Sequence, residues 1–217
     1  MLVVHSLGGL VVKKALCVSA ESFEEEHKQL DRCTMGICFL GTPHQGSGIA
    51  DFATIIAGVL KAAQKVNKSV IDVLRPDSEV LADLQQSFGS WLRRNSDKIS
   101  LTCFYEEYEM PGFVGMVVPK RSATMDGYIP LPIPSNHSDM PKFSDREEAG
   151  YRRVVGELRL WLERFASKQA PEPKEAVASG AQEATASDVP APRESQPSGP
   201  SPDELRSCMR ALSFPEM

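Results

Sequence analysis

Val3-Val4-His5-Ser6-Leu7-Gly8-Gly9-Leu10 sets a serine between an apolar run and a glycine pair. The residues before the serine predict a strand. After it, Leu7, Leu10, Val11, Ala15 and Val18 recur at helical spacing and predict a helix with one face on a sheet. A serine at such a strand-to-helix turn sits in strained backbone, and its oxygen is presented at the end of the sheet. The turn needs small neighbours because strand and helix pack closely there. Gly8 and Gly9 supply them after the serine, whereas Val4 stands where a small residue is expected before it. The stretch is one residue short of G-x-S-x-G, and a plain strand–helix turn is the competing reading.

Outward from this turn, Cys33–Gly41 is a short apolar run ending in glycine and predicts a buried strand. Glu21–Arg32 is charged and reads as a solvated connection. The loop Thr42–Gly48 leads into an apolar helix over Ile49–Lys65, read either as core or as a lid over a cleft. A helix starts at Asp77-Ser78-Glu79 and carries Phe88, Trp91 and Leu92. Ile99–Tyr105 and Val114–Pro119 read as strands, and Tyr128–His137 as extended and Pro-rich. Arg146–Phe165 is an amphipathic helix with Val154, Val155, Leu158, Trp161, Leu162 and Phe165 on one face. Strands alternating with helices predict an α/β sheet.

Composition narrows the class. A 217-residue chain with 41% hydrophobic and 24% charged residues is ordinary for a globular protein. A net charge of −5 without a basic stripe argues against nucleic acid as partner. Cys17, Cys33, Cys38, Cys103 and Cys208 are odd in number and sit in apolar contexts, so they read as reduced core thiols. No zinc-ligand spacing, phosphate-binding glycine loop or membrane-spanning run appears, and no metal or cofactor is expected.

Three blocks taken in order carry a family resemblance: V-H-S-L-G-G-L-V-V-K-K-A-L at Val4–Leu16, F-L-G-T-P-H-Q-G-S at Phe39–Ser47, and S-N-H-S-D-M-P-K-F at Ser135–Phe143. Together they resemble the lipase-like α/β-hydrolase domain of the serine-active-site-containing protein family. A similar domain stands at the N-terminus of many fungal NACHT-type, NLR-like receptors. Phe104-Tyr105-Glu106, the segment Val117–Thr124 and the closing Cys208–Met217 fit the same pattern. The resemblance covers roughly residues 2–165 and the last ten. It implies hydrolysis of a carboxylic ester or lipid; the alternative it implies is a non-catalytic signalling module joined to further signalling domains of a longer protein.

A serine hydroxyl becomes a useful nucleophile only when an oriented base takes its proton, and the chain order in this fold is Ser, acid, His. Ser6 is the expected nucleophile. His137, late in the chain between Asn136 and Ser138, is the expected base. His5 should point away from the serine on its strand, and His44 precedes any acid and should shape the cleft rim. Glu106, at the end of the Ile99–Tyr105 strand, is the expected acid, with Glu107, Glu109 and Asp126 as rivals. Arg121 stands where related sequences often carry an acidic residue, which removes one further candidate. The backbone N–H of Leu7 is the expected oxyanion donor, its partner coming from a loop after an early strand.

In this fold a nucleophile follows several strands, yet Ser6 is the sixth residue. Residues 1–166 are therefore expected to be the C-terminal half of the hydrolase domain, inactive alone, with Met1 a fragment boundary or misassigned start. Residues 167–201 are rich in Ala, Pro, Ser and Glu, lack large apolar side chains and are expected to be a disordered linker. Residues 202–217 regain helical character and are expected to lead into a further domain. No signal peptide is visible, which favours the cytoplasm, while the resemblance implies association with mitochondrial or endoplasmic reticulum membranes as the alternative.

Overall fold

The computed structural model describes residues 1–44, 54–55, 57–59 and 79–169. In chain order its elements are β1 (Leu2–His5), α1 (Gly8–Glu21), α2 (Gln29–Cys33), β2 (Gly36–Leu40), α3 (Glu79–Arg94), β3 (Ser100–Glu106), β4 (Leu131–Ile133) and α4 (Ala149–Gln169). The four strands form one parallel sheet in the order β1-β2-β3-β4. Parallel neighbours require crossovers, and the long connections between the strands supply them. The compact unit spans Met1–Glu163.

Side-chain alternation along the strands divides the sheet into two covered faces. On one face Ile37 and Phe39 of β2 and Leu101 and Cys103 of β3 pack with Leu16 and Cys17 of α1 and Phe88 and Trp91 of α3. The Phe88 and Trp91 rings stack with centroids 5.4 Å apart. Each such fully buried large side chain stabilises the fold by roughly 1.5–3 kcal/mol. The opposite face carries α4. Thr102 donates from Oγ1 to Glu157 at 2.6 Å, and Arg153 donates to the Pro132 carbonyl at 2.6 Å. At Gly36 a Cβ would lie 2.3 Å from the Trp161 ring, so only glycine lets α4 come this close. Every residue of β2 is buried, as a strand covered on both faces must be.

Several elements differ from the sequence reading. Val114–Pro119 forms no strand. Gly112 and Gly115 take φ of +82° and +80°, and the Val118 amide is bound by a carboxylate instead of a neighbouring strand. The charged connection before β2 contains the short helix α2, which ends at Cys33, so the strand begins later, at Gly36. Within the Pro-rich segment, β4 occupies the outer side of β3. Helix α4 starts after Arg146 and runs to Gln169, and Leu162 on it is exposed. Cys17, Cys38 and Cys103 are buried free thiols, as expected of reduced core cysteines, and Cys208 lies outside the described residues. The loop over Gln45–Gly48, most of the helix read over Ile49–Lys65, the start at Asp77-Ser78 and residues 170–217 lie outside the described residues. Of that apolar helix, Ile55 and Val59 are buried and helical. No helix among the described residues is long and apolar enough to cross a membrane.

Candidate active site

Ser6 follows the last residue of β1 and precedes α1 by one residue. Its φ of +55° is the left-handed region, which a non-glycine residue enters at a cost of roughly 1–3 kcal/mol. The surroundings hold it there. The Ser6 N–H donates to the Leu40 carbonyl at 2.9 Å, extending the β1–β2 ladder by one bond, and the Ser6 carbonyl accepts the Gly9 N–H at 3.1 Å. Gly9 is required by packing, since a Cβ there would come within 2.2 Å of Thr42 Oγ1. The serine is left at the C-terminal edge of the sheet, nearly buried.

Two distant segments meet it. Glu106 ends β3, and His137 lies four residues beyond β4. His137 Nε2 is 2.9 Å from Ser6 Oγ, and His137 Nδ1 is 3.0 Å from Glu106 Oε2. The second approach has hydrogen-bond length but is poorly aligned. The other carboxylate oxygen, Oε1, accepts the Val118 N–H at 2.8 Å and so cannot swing away. Serine, imidazole and carboxylate, read from three separate parts of the chain, stand in one line. Glu107, Glu109 and Asp126, the rival acids, are all exposed.

The remaining histidines separate clearly. His44 is not at a cleft rim: it is buried, with its ring edge on Phe39 and Nε2 3.6 Å from Cys103 Sγ. Burial, then the nearby Lys13, holds its pKa well below 6.5. His5 does not turn away from the site as a strand residue before Ser6 should. Its ring lies against His137, centroids 4.8 Å apart, with Nε2 2.8 Å from the His137 carbonyl oxygen.

Leu7 is the N-cap of α1 and has no side-chain cap. Gly9 and Leu10 bond to the Ser6 and Leu7 carbonyls, whereas the Leu7 N–H has no partner among the described residues. An open amide at a helix N-terminus attracts negative charge. Leu7 also joins an apolar wall made by Ile55, Val59, Val117, Tyr105, Met110 and Phe113.

Three contributors escaped the sequence reading. Gly41, at φ +55°, lets the His137 ring approach, because a Cβ there would lie 3.1 Å from the imidazole. Val118 holds Glu106 through its amide alone, which no residue type signals. His5 was discounted because strand alternation was extended one residue too far, past the point where Ser6 breaks it. Among the described residues no three His, Cys, Asp or Glu side chains are grouped to hold a metal, and a notch on α4 lined by Arg146, Arg152 and Arg159 contains none of the residues above.

The chain is similar to Protein SERAC1. It is 30% identical to that of Mus musculus over 156 residues, which is 70% of this chain and 22% of the relative. It is 30% identical to the Homo sapiens protein over 160 residues, 71% of this chain and 23% of the relative, and 27% identical to the Danio rerio protein over 158 residues. It thus spans under a quarter of the length of these relatives. No protein-family profile and no solved structure matches it.

Proposed function

We propose that this chain carries the catalytic centre of a serine hydrolase of α/β-hydrolase type that cleaves a carboxylic ester, the ester of a lipid being the favoured class. One observation carries the reading: the Ser6–His137–Glu106 line, with contacts of 2.9 and 3.0 Å, converging on a serine held at φ +55°. In this reading the β1–Ser6–α1 turn is a nucleophile elbow. The parallel order β1-β2-β3-β4 agrees with it, and so does the distant likeness to SERAC1.

Ser6 Oγ attacks the ester carbonyl carbon as His137 Nε2 takes its proton. Glu106, 3.0 Å from Nδ1, keeps the ring in the tautomer that offers Nε2 and stabilises the imidazolium that forms. The Leu7 N–H, at the positive end of α1, donates to the oxyanion. Collapse of the tetrahedral intermediate breaks the C–O bond, and His137 returns the proton to the departing alcohol. Water then attacks the acyl-Ser6 ester with His137 again as base, releasing the acid and restoring the serine.

Covalent labelling with a fluorophosphonate tests this reading. Ser6 should be the labelled residue, and both Ser6→Ala and His137→Ala should abolish labelling. A folded wild type that labels neither as this chain nor within a longer protein supplying the strands that precede Ser6 would overturn it in favour of a non-catalytic module.

A further inference from the structure

His5 is unexplained by the reaction, yet it makes a polar contact across 132 positions of sequence. The carbonyl of His137 can only accept, so His5 must carry its proton on Nε2 and donate it. The segment bearing His137, between β4 and α4, has no regular structure. Internally it is shaped by Asn136, whose Oδ1 accepts the Ser138 and Asp139 amides at 3.0 and 3.1 Å. Those bonds fix the turn but not where it sits. Besides the ring contacts of His137 with Ser6 and Glu106, two of its backbone carbonyls fasten it to strand ends. The Ser135 carbonyl accepts the Glu107 and Tyr108 amides just past β3, and the His137 carbonyl accepts from His5 at the end of β1.

Resting on the serine-hydrolase reading above, we propose that His5 is a positioning residue: its Nε2–H, donated to the His137 carbonyl, ties the base to the strand that carries the nucleophile. His5 pairs in register with Leu40 of the buried strand β2, so its backbone is a rigid reference. Because His5 and Ser6 are consecutive, any shift of β1 carries the nucleophile and the anchor of its base together. The tilted packing of the two imidazoles, at 42°, limits rotation of His137 as well. The contact also demands a neutral His5, since a cation 4.8 Å away would oppose the imidazolium formed on His137. Burial first, and then the charge of His137, lowers the His5 pKa to about 4, which meets that demand at neutral pH.

The test uses the shortest protein containing this chain whose wild type labels at Ser6, with His5→Phe, which keeps a ring but loses the donor, and His5→Gln, whose amide reaches the same carbonyl. Two readouts are taken: the rate of Ser6 labelling by a fluorophosphonate, and the nitrogen-bound proton resonance of His137 Nδ1. His5→Phe should slow labelling by about 10- to 100-fold, the size of loss when a reacting group is misplaced by up to about an ångström, and broaden or shift the Nδ1 proton. His5→Gln should recover most of both. A purely space-filling His5 would behave in the opposite order, with Phe tolerated and Gln not. Wild-type labelling and an unshifted proton in His5→Phe overturn the proposal. If the wild type labels neither as this chain nor within a longer protein, the hydrolase reading fails, and the proton resonance of the 217-residue chain alone still decides whether His5 positions His137. Should His5→Phe not fold, His5→Asn, too short to reach the carbonyl, replaces it.

Discussion

His137 and His44 are buried to the same degree, 2% and 3% exposed, on two sides of the Gly41 turn, yet their surroundings differ in kind. His137 has a hydroxyl on one ring nitrogen and a carboxylate on the other. His44 has a thiol at 3.6 Å on Nε2, and its Nδ1 finds no partner among the described residues. Near it, Lys13 is fully buried with no carboxylate partner among the described residues, donating to Gln85 Oε1 at 2.9 Å and lying 5.0 Å from the centre of the Phe88 ring. The first region pairs complementary groups, the arrangement that the proposed proton transfer needs. In the second, charge is suppressed: burial pushes His44 well below its usual range and Lys13 down to about 7. Burial alone does not make a base; a carboxylate placed to hold the imidazolium does.

The sharpest way to break this comparison is to delete each imidazole. His137→Ala should lower Ser6 labelling by ~10⁴-fold or more, the size of loss when one member of a cooperating triad is removed. His44→Ala should leave labelling within a few-fold and show its effect in thermal stability. Equal losses of labelling would mean that both histidines serve the serine.

Replacing Glu106 by Gln keeps size and the bond from Val118 but withdraws the charge, and should cost turnover up to ~10⁴-fold. Glu107→Gln and Asp126→Asn, both on exposed residues, should stay near wild type. A normal rate in Glu106→Gln would dissolve the distinction between the two histidines.

Gly41 separates the two regions. Gly41→Ala would place a Cβ 2.8 Å from Met140 Sδ and 3.1 Å from the His137 ring, at a φ of +55°. Labelling should fall by about 10- to 100-fold, as expected when a reacting group shifts by a fraction of an ångström. Melting temperature should fall with it, since left-handed backbone costs a residue with a Cβ about 1–2 kcal/mol.

Lys13 sharpens the other half of the comparison. Its folded pKa, about 7, lies below the unfolded 10.5, so between those values the unfolded chain binds more protons. Stability therefore rises with pH from about 7 to about 10.5 through this group. Near pH 7 the mismatch costs on the order of 4 kcal/mol, more than the roughly 1–3 kcal/mol lost when Gln85 Oε1 is orphaned. Lys13→Met should accordingly raise the melting temperature at pH 7 and flatten its rise above pH 7, both readable by scanning calorimetry. A lowered melting temperature would mean that the Gln85 bond and the contacts with Phe39 and Phe88 outweigh desolvation.

Local pattern was enough for the strand–serine–helix turn, the apolar strand through Ile37–Leu40 and the helix bearing Phe88 and Trp91, because each is written in neighbouring residues whose periodicity matches its element. The nature of Ser6, Glu106 and His137 as nucleophile, acid and base candidates could be read from residue type, chain order and the family resemblance. Their meeting could not. The 2.9 and 3.0 Å contacts join segments 31 to 131 positions apart, and such separations are bridged only by the register of β1, β2, β3 and β4. That Glu106 is buried beside the His137 ring while Glu107, Glu109 and Asp126 are exposed is likewise a tertiary fact, which a run of acidic residues does not encode. Val114–Pro119 was misread for the same reason: its apolar residues satisfy a strand pattern, but two left-handed glycines and the demand of Glu106 for an amide direct the backbone elsewhere. His5 and Gly41 matter through what they touch. A histidine on a strand and a glycine after one are common, and only the folded chain brings each within reach of His137, because long-range contact depends on packing in three dimensions while sequence pattern reports on neighbours along one.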